Sequence, residues 1–281
     1  MADRGGWTVG ATPLVWGART YVMGIVNVTP DSFSGDGCTT VHEALAVAER
    51  HVREGADILD VGGESTRPGH LPLDAESELL RAIPVVQALR DRFPAMPISI
   101  DTSKAVVARA AAESGANAIN CVRRAPDDLL EIAAERKLAF IAMHNAASPE
   151  YGDDVVDAVA RVLQECADRG VRRGIPRQLM LVDPGIGFAK TAEQNLRILQ
   201  RLDRIVALGF PTVLGTSRKS TLGLLTGRQP QARVAATAAT SALAATAGID
   251  VVRVHDVAET RDAVRVADAI ARGWRPHAWT A

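Results

Sequence analysis

The chain has 281 residues, 47% of them hydrophobic and 23% charged, with 32 Lys and Arg against 33 Asp and Glu for a net charge of -1. That is enough apolar material for one large core or two small ones, and the balanced charge excludes bulk attraction to nucleic acid or a membrane surface, so any anion must be held by a local cluster. Cys38, Cys121 and Cys166 form an odd set without a C-x-x-C pair, which argues against a disulfide framework and a cysteine-ligated zinc. With no signal-like h-region and no apolar stretch of membrane-spanning length, a soluble protein of the reducing cytoplasm is expected.

Residues 1–13 carry Gly and Trp without periodicity and read as an N-terminal tail. Eight short runs rich in Val, Ile and Leu follow: YVMGIVNV (21–28), ILDVGG (58–63), PISIDT (97–102), AINCV (118–122), AFIAMHN (139–145), LMLVDPG (179–185), TVLGTS (212–217) and VVRVHD (251–256). Segments at helical spacing lie between them, among them VHEALAVAERHVREG, LLEIAAERK, VVDAVARVLQECADRG and TRDAVRVADAIARG. Near-continuous apolar strands alternating with helices imply a parallel sheet covered by helices. Eight such units predict an α/β fold, a single (β/α)8 TIM barrel over residues 14–272, with 273–281 as a C-terminal tail. An open doubly wound sheet is the alternative, but NVTPDSFSGDG after the first strand lacks the G-x-G-x-x-G of a dinucleotide site. The small side chains of VAATAATSALAATAG (234–248) suit close helix approach, within the chain or between subunits.

In such a barrel the chemistry gathers where strands end. The residues at those ends are Asn27, Glu64, Asp101, Asn120, His144, Asp183, Ser217 and His255. Any one alone could be an N-cap or a turn residue; a polar residue at all eight points to a site. The loops add Arg67, Lys104, Lys190, Arg218, Lys219 and Arg253 to the same rim. Asp101, Asp183 and the Asn120 amide suit a flat heterocycle with several N–H donors and carbonyl acceptors, whereas the arginines, Lys219 and His255 suit phosphate. Ser217-Arg218-Lys219-Ser220 also opens a helical segment, where free backbone N–H groups bind anions. His144 and His255 alone make a poor zinc site; Mg2+ held mainly by substrate phosphates, with Asn27 and Asp36 nearby, fits better.

MGIVNVTPDSFSGDG, DVGGESTRPG, SIDTSK, IN (119–120), MH (143–144), DPGIGFAKT, GTSRKS and RVHDV stand in the order and strand positions of the bacterial dihydropteroate synthases, which the chain resembles from about residue 21 to 270. The resemblance implies a folate-pathway transferase, usually a homodimer, that joins 6-hydroxymethyl-7,8-dihydropterin diphosphate to p-aminobenzoate and releases diphosphate. It implies Asp101, Asn120, Met143, Asp183, Lys219 and Arg253 around the pterin, and Asn27, Thr66, Arg67, Arg253 and His255 on the diphosphate, with Mg2+ at Asn27. It implies Phe33, Thr66, Arg67, Pro68, Phe188, Lys219 and Ser220 around p-aminobenzoate, where sulfonamides bind in this family. Asp101, Asp183, Lys219, Arg253 and His255 would carry the catalysis. Loops one and two, about 29–39 and 64–73, are rich in Gly, Ser, Pro and Thr; their composition predicts mobility, and the resemblance makes them lids.

The chain departs from the family pattern in places. Cys121 stands where members usually have Asp; if Asn120 faces the pocket, strand alternation turns Cys121 to the helix layer as a packing residue. Loop one reads FSGDG rather than FSDGG, placing its acid at Asp36, after Gly35, and NAASPEYGDD after the fifth strand is short. Rival readings are a catalytically impaired pterin-binding paralogue, a pterin-binding methyltransferase domain, which has no need of the TSRKS and RVHD cations, and a zinc hydrolase.

Overall fold

The computed structural model describes residues 4–10, 12–29, 37–64, 73–152, 154–277 and 279. An antiparallel hairpin of β1 (Gly6–Val9) and β2 (Thr12–Val15) precedes β3 (Tyr21–Asn27), β4 (Ile58–Gly62), β5 (Ile98–Asp101), β6 (Ala118–Cys121), β7 (Ala139–Met143), β8 (Met180–Asp183), β9 (Val213–Leu214) and β10 (Val251–Val254). The last eight are parallel neighbours in the order β8-β7-β6-β5-β4-β3-β10-β9, and a parallel bridge between Val182 and Thr212 joins the two ends. The expected (β/α)8 barrel therefore forms, and the closing bridge rules out the open sheet.

Helices α1 (Val41–Glu54), α2 (Ala75–Arg92), α3 (Ala105–Glu113), α4 (Asp127–Arg136) and α5 (Val155–Arg172) each follow one strand, from β3 to β7 in turn. Two follow β8, α6 (Ala192–Gln200) and α7 (Leu202–Val206), two follow β9, α8 (Ser220–Thr226) and α9 (Val234–Ala247), and α10 (Val257–Ala271) follows β10. Their ends are encoded locally. Thr40 with Glu43 and Thr191 with Gln194 form reciprocal capping boxes at the starts of α1 and α6. None of the helices among the described residues is long and apolar enough to cross a membrane.

Strand alternation divides the buried residues into two cores. Outward side chains such as Val26, Leu59, Ile100, Ile119, Phe140 and Val182 pack against the helices. Inward ones at the strands' N-terminal ends, including Met23, Ile58, Ala139, Leu181 and Val251, meet Trp7, Leu14 and Trp16 from the hairpin. Within residues 1–13, expected as a tail, the described residues 6–9 and 12–13 instead belong to the hairpin that caps the bottom of the barrel. Burying each of these large side chains is worth about 1.5–3 kcal/mol, and polar ties fix the cap, with Trp16 Nε1 donating to the Gln178 carbonyl at 2.8 Å and Arg4 paired with buried Asp250 at 2.7 Å. Past α10, residues 273–277 carry no regular element.

Candidate active site

The inward ladder turns polar at the upper ends of the strands. Asn27, Gly62, Asp101 and Asn120 stand on one rung of β3 to β6, and Met143 pairs with Asp183 across β7 and β8. Gly62 keeps the rung open, because a Cβ there would lie 3.7 Å from both Asn27 Oδ1 and Asp101 Cβ.

Arg253, on β10, reaches across the mouth. Its Nη2 donates to Asp101 Oδ2 at 2.9 Å and its Nε to Asp60 Oδ2 at 2.6 Å, and the same Asp60 oxygen accepts from Asn120 Nδ2 at 3.0 Å. Asp60 therefore orients two of the expected pterin residues from below. Reading only the last residue of each strand missed it, although counting back by two from Gly62 along β4 places Asp60 inside the barrel. Asp60 Oδ1 and Asp101 Oδ1 are buried without a hydrogen-bond partner among the described residues, so both are acceptors ready for donors. Burial raises the Asp101 carboxyl to about 7, against the opposing pull of Arg253 and with reinforcement from Asp60.

Asp183 forms the opposite wall. Burial raises it to about 6, opposed by the Gly185 N–H, which donates to its Oδ1 at 2.7 Å, and by the charges of Lys219, Arg253 and Lys190. The chain then turns sharply through Gly185, whose φ of 67° and whose Cβ position against the His144 carbonyl admit only glycine. This turn delivers Phe188, half-buried, with the Lys219 ammonium 4.1 Å from its ring centroid. Burial lowers Lys219 to about 8, with Arg253 adding to the effect and Asp183 and Asp101 opposing it. Ser220 opens α8 beside Lys219 and is exposed.

His255 contacts the Ser217 hydroxyl through Nδ1 at 2.9 Å, and its backbone N–H donates to the same oxygen. Burial, then Arg218, Arg253 and Lys219, hold its pKa well below the usual histidine range, so the imidazole is neutral at pH 7. Other rim cations are committed elsewhere. Arg218 pairs with Asp256 through two hydrogen bonds, Lys104 with Glu64 and Glu78, and Lys190 with main-chain carbonyls and His144. Among the described rim cations, Arg253 and Lys219 are the ones placed among Asp60, Asp101 and Asp183. Phe33, Asp36, Thr66, Arg67 and Pro68, and most of loops one and two, lie outside the described residues.

No group of three or more His, Cys, Asp and Glu side chains among the described residues could cage a metal. One neutral amide oxygen, that of Asn27 at the end of β3, suits an Mg2+ that keeps most of its coordination for phosphate and water. Cys121 sits in the helix-side core and Asn120 in the mouth, as alternation requires; burial pushes the thiol up to about 12, which makes it an inert packing residue.

Comparison with known proteins agrees with this geometry. The profile of the pterin binding enzyme family matches residues 23–255. The dihydropteroate synthase of Clostridium beijerinckii is 41% identical over 271 residues, covering 94% of this chain and 99% of the relative, and that of Synechocystis sp. is 42% identical over 278 residues, covering 95% and 94%. A Yersinia pestis dihydropteroate synthase solved with a sulfonamide drug superposes with a TM-score of 0.89 at 39% identity, covering 94% of this chain and 98% of that one. A Xanthomonas albilineans dihydropteroate synthase in complex with 7,8-dihydropteroate gives a TM-score of 0.82 at 41% identity, covering 92% and 96%.

Proposed function

The chain belongs to the pterin binding enzyme family, among the dihydropteroate synthases, and we propose on that premise that it condenses 6-hydroxymethyl-7,8-dihydropterin diphosphate with p-aminobenzoate to give 7,8-dihydropteroate and diphosphate. The observation that carries this reading is the set of Asp101, Asn120 and Asp183 converging on one mouth with Lys219 and Arg253. Carboxylates and an amide can pair with the donor and acceptor edge of a pterin, Met143, paired with Asp183 across β7 and β8, would lie against the ring, and Lys219 and Arg253 would meet the negative charge.

Departure of diphosphate leaves a cationic pterin methylene, whose charge Asp101 and Asp183 stabilise once ionised. Arg253, His255 and Asn27 take the diphosphate end, with Thr66 and Arg67 of loop two as the expected further contacts. His255 is neutral in the free protein, so it would gain a proton as the anion arrives. Mg2+, which Asn27 would hold together with diphosphate oxygens, neutralises leaving-group charge when bound. Phe188, Lys219 and Ser220, with Phe33 and Pro68, would seat p-aminobenzoate so that its amine meets the methylene; a weakly basic aniline needs positioning more than activation. That same pocket would admit sulfonamides, as one pictures from their resemblance to p-aminobenzoate.

The active unit is proposed to be a homodimer. Leu243 on α9 and Val266 and Ile270 on the neighbouring α10 are large apolar side chains left more than half exposed, which supports a second copy as their cover. A cytoplasmic location is proposed with it, supported by an odd number of cysteines, Cys38, Cys121 and Cys166, all of them buried.

The test is formation of dihydropteroate from the two substrates with Mg2+. The wild-type chain should turn over, and Lys219→Ala should lose a factor on the order of 10²–10³ in rate together with pterin affinity. Normal turnover by that variant would remove Lys219 from the mechanism.

A further inference from the structure

Lys190 takes no part in the reaction as described, yet its ammonium is among the most heavily used groups in the molecule. Its Nζ donates to the Gly185 carbonyl at 2.9 Å and the Phe188 carbonyl at 3.0 Å, and lies 3.0 Å from His144 Nδ1 and 3.4 Å from the His144 carbonyl. Burial lowers its pKa to about 7, against the pull of Asp183 and with reinforcement from Lys219; the charged form has three N–H groups, and these acceptors occupy all of them, leaving none for a substrate phosphate. We propose that Lys190 is a positioning residue for the second substrate: it holds the Gly185–Phe188 turn in the shape that sets Phe188 and Lys219 beside p-aminobenzoate.

Both ends of the turn are captured by one atom, and that atom is referenced to the barrel wall through His144, which directly follows β7. His144 can serve as the acceptor because burial, then the charges of Lys190 and Arg124, bring its pKa down to about 3, so Nδ1 keeps its lone pair. A second tie comes from the side. Buried Asn195 on α6 accepts from the Gly187 N–H at 2.9 Å and donates from Nδ2 to Thr221 Oγ1 on α8 at 3.1 Å, joining the turn to the helix that Lys219 precedes. Tyr151 supplies a third, its hydroxyl donating to the Ala189 carbonyl at 3.2 Å.

The turn in turn touches Lys219. A Cβ on Gly187, at φ 80°, would lie 3.2 Å from Lys219 Cδ, and the Phe188 ring lies under the Lys219 ammonium. Shifting the turn therefore shifts both a wall of the p-aminobenzoate pocket and the cation that faces it. Asp101, Asn120 and Arg253, on other strands, do not depend on it.

The inference rests on the synthase reading, and steady-state kinetics of the full chain with both substrates, alongside calorimetric binding of a pterin, separates the two. Lys190→Met keeps an unbranched stem one atom shorter and removes every donor. It should raise KM for p-aminobenzoate by a factor on the order of 10 to 100, with a much smaller loss of pterin affinity passed on through Lys219 and Asp183. Lys190→Arg, which restores charge and donors, should recover part of the loss. Asn195→Ala should raise the same KM by releasing the turn from the α6 side, and it decides the matter if Lys190→Met does not fold. An unchanged KM for p-aminobenzoate, or a loss of pterin affinity in step with it, overturns the positioning role. Absence of turnover by the wild-type chain overturns the synthase reading instead, and this proposal with it.

Discussion

A carboxylate buried away from water holds its proton more tightly than one in solution, and two such groups line the mouth. Asp101 at about 7 and Asp183 at about 6, both raised first by burial, exceed the ordinary aspartate value of about 3.9 that applies in the unfolded chain. The folded protein therefore binds more protons than the unfolded one between roughly pH 4 and 7, and the contribution of these groups to stability falls as pH rises through that window. Donors on a pterin need the ionised forms. Pterin binding should accordingly release protons and tighten as pH climbs through about 6 to 7, seen as a heat that depends on the buffer's ionisation enthalpy. An affinity that stays flat from about pH 5 to 8 would show that neither carboxyl accepts from the ligand.

Asp60 makes a further residue-scale prediction. Asp60→Asn removes one of the two carboxylates paired with Arg253, which should cost on the order of 1–3 kcal/mol in urea unfolding, and the weaker amide acceptor should loosen Asn120 and Arg253 and so weaken pterin binding. Unchanged stability would mean that Asp101 alone satisfies Arg253. Asp101, Asn120 and Asp183 were legible because each ends an apolar run. Asp60 was hidden inside ILDVGG, where the eye follows the apolar residues, and the commitments of Lys104, Lys190 and Arg218 were hidden because their partners come from distant segments or from the main chain, which sequence spacing does not encode.

Among the elements, long apolar periodicity made the strands and helices readable, while short elements were harder. TVLGTS yields only Val213–Leu214 as β9, since the residues that follow turn toward the mouth. The hairpin was overlooked because GWTVGATPLVWG is punctuated by Gly and Pro, yet its period-two pattern of Trp7 and Val9, then Leu14 and Trp16, is the signal of a half-buried ribbon. Trp7→Ala should destabilise the protein by about 3–5 kcal/mol and leave kcat/KM of the folded fraction unchanged, since the hairpin meets the strands at the end opposite the mouth. Chemical denaturation read together with the activity of the folded protein checks both halves; an altered kcat/KM would mean that the cap reaches the site through the core.

The whole molecule adds a question of assembly. Ile270→Glu combined with Leu243→Glu places charges on the exposed apolar face of α9 and α10 and should convert a dimer to a monomer in sedimentation experiments. An unchanged dimer would move the interface elsewhere. The bottom of the barrel has its own lesson for handling the protein. Arg4 is fastened to Asp250, just below β10, and Arg272 donates to Thr20 and to the Ile249 carbonyl at the same level. Both outlying segments are thus moored on the floor, with the mouth at the far side. A tag, fusion partner or surface tether attached at either end would hold the molecule upright, its substrates entering from the open side unhindered.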